Sequence, residues 1–220
     1  MELVNGCLEI FAALVILILI VSMYHGKPEN ILEKRLMAMV GCHMAVLLLD
    51  ATRWLLYQRT DLTLLLLFLS VAPTILALIG NAIFGCFAVD FLSQHGPISR
   101  KTVIPMVILF VFAILSWTAF VLPNGLHSAA NMQTNYDVMR YSWGYWIGHL
   151  GWALVCVIGL AIIWHCREGL GRRELLSLSS YCIFPLLALV LRFFWDGPQI
   201  FLSTSLSLIL IYGVIQHGQH

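Results

Sequence analysis

The stretch "LEIFAALVILILIVSMY", residues 8–24, contains a single charged side chain, Glu9. About 20 apolar residues in a helix cross a hydrocarbon core of about 30 Å. No water reaches that core, so every backbone N–H and C=O must find its partner within the protein. Only helices and closed barrels achieve this. The apolar residues here run on continuously, where a barrel strand would alternate over about 10 residues. A membrane-spanning helix is therefore the expectation.

Comparable runs recur along the chain. They place seven spans at about 4–24, 36–57, 63–92, 102–122, 143–165, 175–195 and 199–216. The third contains Pro73 and Gly80, which predicts a tilt or a kink. Sixty percent of the 220 residues are hydrophobic and ten percent are charged, against about a quarter charged in ordinary globular domains. A water-soluble domain with this balance could not cover its surface. The formal net charge of +1 gives no electrostatic footprint for nucleic acid. With no long polar stretch, residues 1–220 read as one seven-helix transmembrane domain, an all-α bundle. The opening "MELVNGCLEI" carries acids where a cleavable signal carries bases, so the first span is expected to be retained.

Eight of the twelve bases lie in the connections after the first, third and fifth spans: Lys27, Lys34, Arg35, Arg100, Lys101, Arg167, Arg172 and Arg173. Arg53, Arg59, Arg140 and Arg192 lie on the other side. Positive charge retained inside puts the N-terminus outside and the C-terminus in the cytoplasm. The longest connection, "PNGLHSAANMQTNYDVMRYSWGYW", is then external and is the candidate lid.

Catalytic signatures are missing from the sequence. It has no G-x-S-x-G, P-loop, H-E-x-x-H or dinucleotide fingerprint. The six cysteines form no C-x-x-C pair and read as small apolar packing groups. His43 and His149 read as hydrogen-bonding groups between helices. The last span has no lysine for a retinal Schiff base. No enzyme activity, cofactor or metal is expected.

Ionisable residues inside spans carry the functional signal, because their burial is costly. Glu9, Asp50, Arg53, Arg192 and Asp196 fall at similar depth near the outer side, with Trp54, Tyr57 and Trp195 close by. Asp50 and Arg53 share a helix face. Together these eight residues form a candidate ligand site: a mixed-charge pocket rimmed by aromatics. Asp90 lies near the inner end of the third span and is expected to pair with Arg100 or Lys101 and to transmit a signal.

The segments "LLLDATRWLL", "FAVDFLSQHGPISRKTVIP", "NYDVMRYSWGYW", "CREGLGRRELLSLSSYCIFPLLALVLRFF" and "LSTSLSLILIYGVIQHGQ" follow one another in an informative order. In that order the chain resembles the amino-terminal seven-transmembrane sensory region of Gram-positive GGDEF diguanylate cyclases and histidine kinases. The resemblance runs from about residue 36 onward and implies a last helix ending in a Tyr-x-x-x-Gln-like stretch, here Tyr212 and Gln216. It implies a multi-pass receptor in the bacterial cell membrane that binds a small-molecule or lipid-like ligand. The signal would pass to a cytoplasmic output domain in cis, in a homodimer. These 220 residues contain no GGDEF or kinase core, so no catalytic output is expected of them. A small seven-helix solute transporter is the alternative. It is disfavoured because the first and last three spans show no internal repeat, and Pro198-Gln199 has no counterpart in the first half.

Overall fold

A computed structural model describes residues 2–28, 30–56, 60–96, 104–105, 107–108, 111–112, 115, 143–191, 194 and 199–217. Six helices of more than one turn are described: α1 (Glu2–His25), α2 (Ile31–Leu56), α3 (Thr63–Ser93), α4 (Trp143–His165), α5 (Arg172–Leu191) and α6 (Gln199–His217). A short 3-10 turn, Thr60–Leu62, leads into α3. Every element among the described residues is helical. Five of the helices, α1, α2, α3, α5 and α6, are long and apolar enough to cross a membrane. α4 is one continuous helix of 23 residues. The span expected at 102–122 is described only at isolated helical positions.

Local chemistry accounts for the ends. α1 closes with the Gly26 N–H bonded to the Ser22 carbonyl at 3.2 Å. Lys27 then turns left-handed at φ 50, and Pro28 follows, which cannot continue a helix. α2 is preceded by Asn30, whose Oδ1 accepts from the Glu33 N–H at 2.8 Å, a side-chain N-cap. α5 begins where the Gly171 N–H donates to Glu174 Oε2 at 2.7 Å, one half of a capping box. α3 passes unbroken through Pro73 for 31 residues, a length of about 46 Å.

Consecutive helices pack side by side, α1 on α2, α2 on α3, α4 on α5 and α5 on α6, while α6 returns against α1 and α2. The core runs along the bundle axis through Ile16, Leu36, Leu47, Phe87, Ile163 and Leu208. The outward faces carry Phe11, Ile18, Leu64, Leu150 and Leu187, all exposed. Exposed apolar area on this scale is costly in water and is what lipid solvates.

One end of the bundle gathers Lys27, Lys34, Arg35, Arg167, Arg172 and Arg173, from the ends and turns of α1, α2, α4 and α5. We call it the basic end. Here Gly169 adopts φ +91, and a Cβ on it would sit 3.1 Å from the His95 carbonyl oxygen. The same carbonyl belongs to the residue whose Nε2 lies 3.6 Å from Glu174 Oε2. Gly169→Ala is expected to cost at least about 1 kcal/mol, because left-handed backbone strains a Cβ and this one has no room. The fall in melting temperature of the purified protein measures it.

Candidate functional site

The far end of the bundle holds the deepest charges. Gly6 lets α1 approach α2 closely: a Cβ there would meet Leu55 Cδ2 at 3.2 Å and the Ala51 carbonyl at 3.5 Å. One turn along, Glu9 is carried inside with 0% exposure. Across from it Asp50 is 4% exposed. Arg53 Nη2 donates to Asp50 Oδ1 at 2.7 Å, and Trp54 Nε1 donates to Asp50 Oδ2 at 3.1 Å. The guanidinium lies 5.0 Å from the centroid of the Trp54 ring, a cation–π contact. The spacings are i, i+3 and i, i+4 on one helix, so α2 alone presents a carboxylate with a donor on each oxygen.

Glu9 is different. As a carboxylate, neither of its oxygens meets a hydrogen-bond donor among the described residues. Its neighbours are the carboxyl of Asp50, near enough to share a proton with it, and the positive charge of Arg53. Two ionised acids against one guanidinium would leave a net negative charge buried, which is strongly unfavourable. The site therefore takes up one further positive charge or hydrogen-bond donor. Among the described residues, a proton on Glu9 is what can supply it.

The structure thus brings together four residues of the candidate pocket, Glu9, Asp50, Arg53 and Trp54. Tyr57, Arg192, Trp195 and Asp196 lie outside the described residues. Asn5, 1% exposed and one turn before Glu9 on α1, and Gln199, 8% exposed at the start of α6, are also buried. The sequence reading omitted both. The signal for Asn5 was its i, i+4 spacing to Glu9.

Among the described residues, side-chain hydrogen bonds to α1, α2 and α5 tie α6 to its neighbours. His43 Nε2 lies 2.8 Å from Ser205 Oγ, whose hydroxyl also reaches the Phe201 carbonyl at 3.1 Å. Both contacts are satisfied when Nε2 carries the ring proton. Ser207 Oγ donates to the Ser180 carbonyl of α5 at 3.0 Å. Tyr212 Oη and Ser22 Oγ of α1 are 2.7 Å apart. Ser205 and Ser207, in the hydroxyl-bearing half of this helix, are buried. In the half beyond them, Tyr212 is held to α1. Gln216 lies beyond Tyr212 near the end of α6, partly buried.

Asp90 pairs with Arg35 of α2 at 2.7 Å, and Arg35 Nη1 also donates to the Cys86 carbonyl. Its expected partners, Arg100 and Lys101, lie outside the described residues. All six cysteines are free thiols, with Cys156 and Cys182 buried. No cluster of three or more metal-ligating side chains occurs among the described residues.

The fold and the site define a class: an all-helical protein, five of whose helices are long and apolar enough to cross a membrane, with a charged cluster buried at one end. Comparison with protein-family models, curated proteins and solved structures finds no match to this chain.

Proposed function

We propose that this chain is a multi-pass receptor module of a bacterial cell membrane. It binds a small ligand at the Glu9–Asp50 cluster and passes the signal through α6 to a cytoplasmic diguanylate cyclase or histidine kinase domain. The observation that carries the reading is Glu9, fully buried with no donor to either oxygen among the described residues. A purely structural anchor has no use for such a group.

Arg53 is already engaged by Asp50, so the open valence belongs to an acid. This favours a ligand that brings a hydrogen-bond donor, such as the ammonium of a zwitterion, over a purely anionic metabolite. Transmission has a short path: Gln199 at the start of α6 is buried, α6 touches both α1 and α2, and it ends near Gln216 at the basic end. A ligand that prefers one position of α1 against α6 would shift the populations of both.

The test joins residues 1–216 to a soluble diguanylate cyclase domain and inserts one to four residues at the joint. Cyclase output is expected to rise and fall with a period of about 3.6 residues. Glu9→Gln, which keeps the shape and removes the charge, is expected to hold the in-phase fusion at one output level. Output indifferent to insert length would show that α6 only anchors. A periodic output untouched by Glu9→Gln would keep the signalling helix and remove the ligand site.

A further inference from the structure

A second feature lies away from the Glu9 cluster. A cavity of about 360 Å³ sits between α3, α4 and α5, within the range of about 300–1,000 Å³ typical of ligand pockets. Its α3 wall is the stripe Ala82, Cys86 and Val89. Facing it are Val155 of α4 with Cys182 and Pro185 of α5. The wall from Asn81 to Asp90 covers nine residue steps, about 14 Å of helix, so the space is long and narrow.

The cavity does not come from loose packing behind it. A Cβ on Gly159 would meet Cys182 Sγ at 3.2 Å, so α4 and α5 are in close contact there. Phe84 stacks on Tyr181 with centroids 4.0 Å apart, fixing α3 to α5. The walls are therefore braced by direct contacts, and the space between them has a defined shape.

Asn81, Tyr181 and Thr204 contribute hydrogen-bonding side chains to the lining. Its charged groups are at the basic end, where the Arg35–Asp90 ion pair lines the cavity. Both side chains are about one-third exposed, which leaves them polar atoms free of each other. The pair is net neutral. An anionic head would compete with Asp90 for Arg35, and a cationic head would compete with Arg35 for Asp90. A neutral hydroxyl disturbs neither, since it accepts from the guanidinium and donates to the carboxylate.

We propose that this cavity binds a membrane-dissolved amphipath with one flexible apolar chain and a neutral hydroxyl head. The chain lies along the α3 stripe and the head lies at Arg35–Asp90. The walls between the ion pair and Asn81 are mostly apolar, so most hydrogen bonds of a water-soluble polar ligand would go unmet there. The neighbouring outward face of α5, with Leu187 exposed, is of the kind that meets lipid, so the bilayer is the source. The site is independent of the receptor reading and of Glu9.

The experiment uses the full chain in nanodiscs with a diazirine-bearing dodecanol, followed by peptide mapping of the adducts. Adducts are expected on 81–90 and around Cys182–Pro185, and excess dodecanol should compete them away. Ala82→Phe fills the cavity and should lower this labelling roughly tenfold, the equivalent of about 1.4 kcal/mol. Val155→Phe fills it from the other wall and serves where Ala82→Phe does not fold. The matching diazirine dodecanoic acid should label these positions less than the alcohol. Adducts spread evenly over outward positions such as Phe11 and Ile18, or labelling undiminished in a folded cavity-filling variant, would overturn the site. Equal or stronger labelling by the acid would overturn the neutral-head assignment.

Discussion

Asp50→Ala is expected to destabilise the protein by about 3 kcal/mol, toward the lower end of what breaking a buried ion pair costs. Asp50 is 4% exposed and accepts from both Arg53 and Trp54. Removing it strands the guanidinium and the indole N–H in a site where little water can replace the lost acceptor. The figure sits low in the range because the Arg53 side chain keeps 23% exposure and can turn toward the membrane surface. Asp50→Asn retains the acceptor for one donor and should lose less. Unfolding of the purified protein in bicelles measures both, and a variant as stable as the parent would remove Asp50 from the centre of the cluster. Glu9→Gln provides the contrast. It strands no donor and leaves no unpaired charge, so its effect on stability should be small or favourable while its effect on signalling is large.

The second large effect separates the inside of the bundle from its outside. Phe87 has 0% exposure and stacks near Phe91 with centroids 6.0 Å apart. Phe87→Ala leaves a cavity that neighbouring helices cannot fully close, and a loss of about 3–5 kcal/mol is expected. Phe11 is 67% exposed on the outer face of α1. Lipid tails are as apolar as the side chain they would replace, so Phe11→Ala removes little that holds helices together. Its effect should stay within about 0.5 kcal/mol. In water-exposed surroundings the two residues would still differ, but Phe11→Ala would improve solubility in detergent-free buffer. A loss at Phe11 comparable to that at Phe87 would mean that α1 faces another protein surface on that side.

Much of the helix pattern was readable beforehand. A continuous, non-alternating apolar run of membrane length has one hydrogen-bonded solution, the helix, so α1 to α6 appear within a few residues of their expected bounds. Ends were the weaker part. α2 begins at Ile31 and α5 at Arg172, several residues before their apolar runs, because Asn30 and Gly171 supply caps that let charged first turns form. The convergence of Glu9 with Asp50 was suggested only by equal depth. Which face of α1 meets α2 depends on Gly6, whose missing side chain allows the close approach, and residue spacing along one helix cannot state that.

Sequence by itself determined the helical class, the concentration of bases toward one end, and the i, i+3 and i, i+4 geometry of Asp50, Arg53 and Trp54. Each follows from local rules: backbone satisfaction, charge position and helical period. Only the tertiary structure decided who meets whom across helices. Asp90 finds Arg35 of α2, Tyr212 finds Ser22, and α3, α4 and α5 leave a cavity between them. Those outcomes depend on the shape of whole helix faces, where one glycine or one aromatic pair sets a distance that no short stretch of residues encodes.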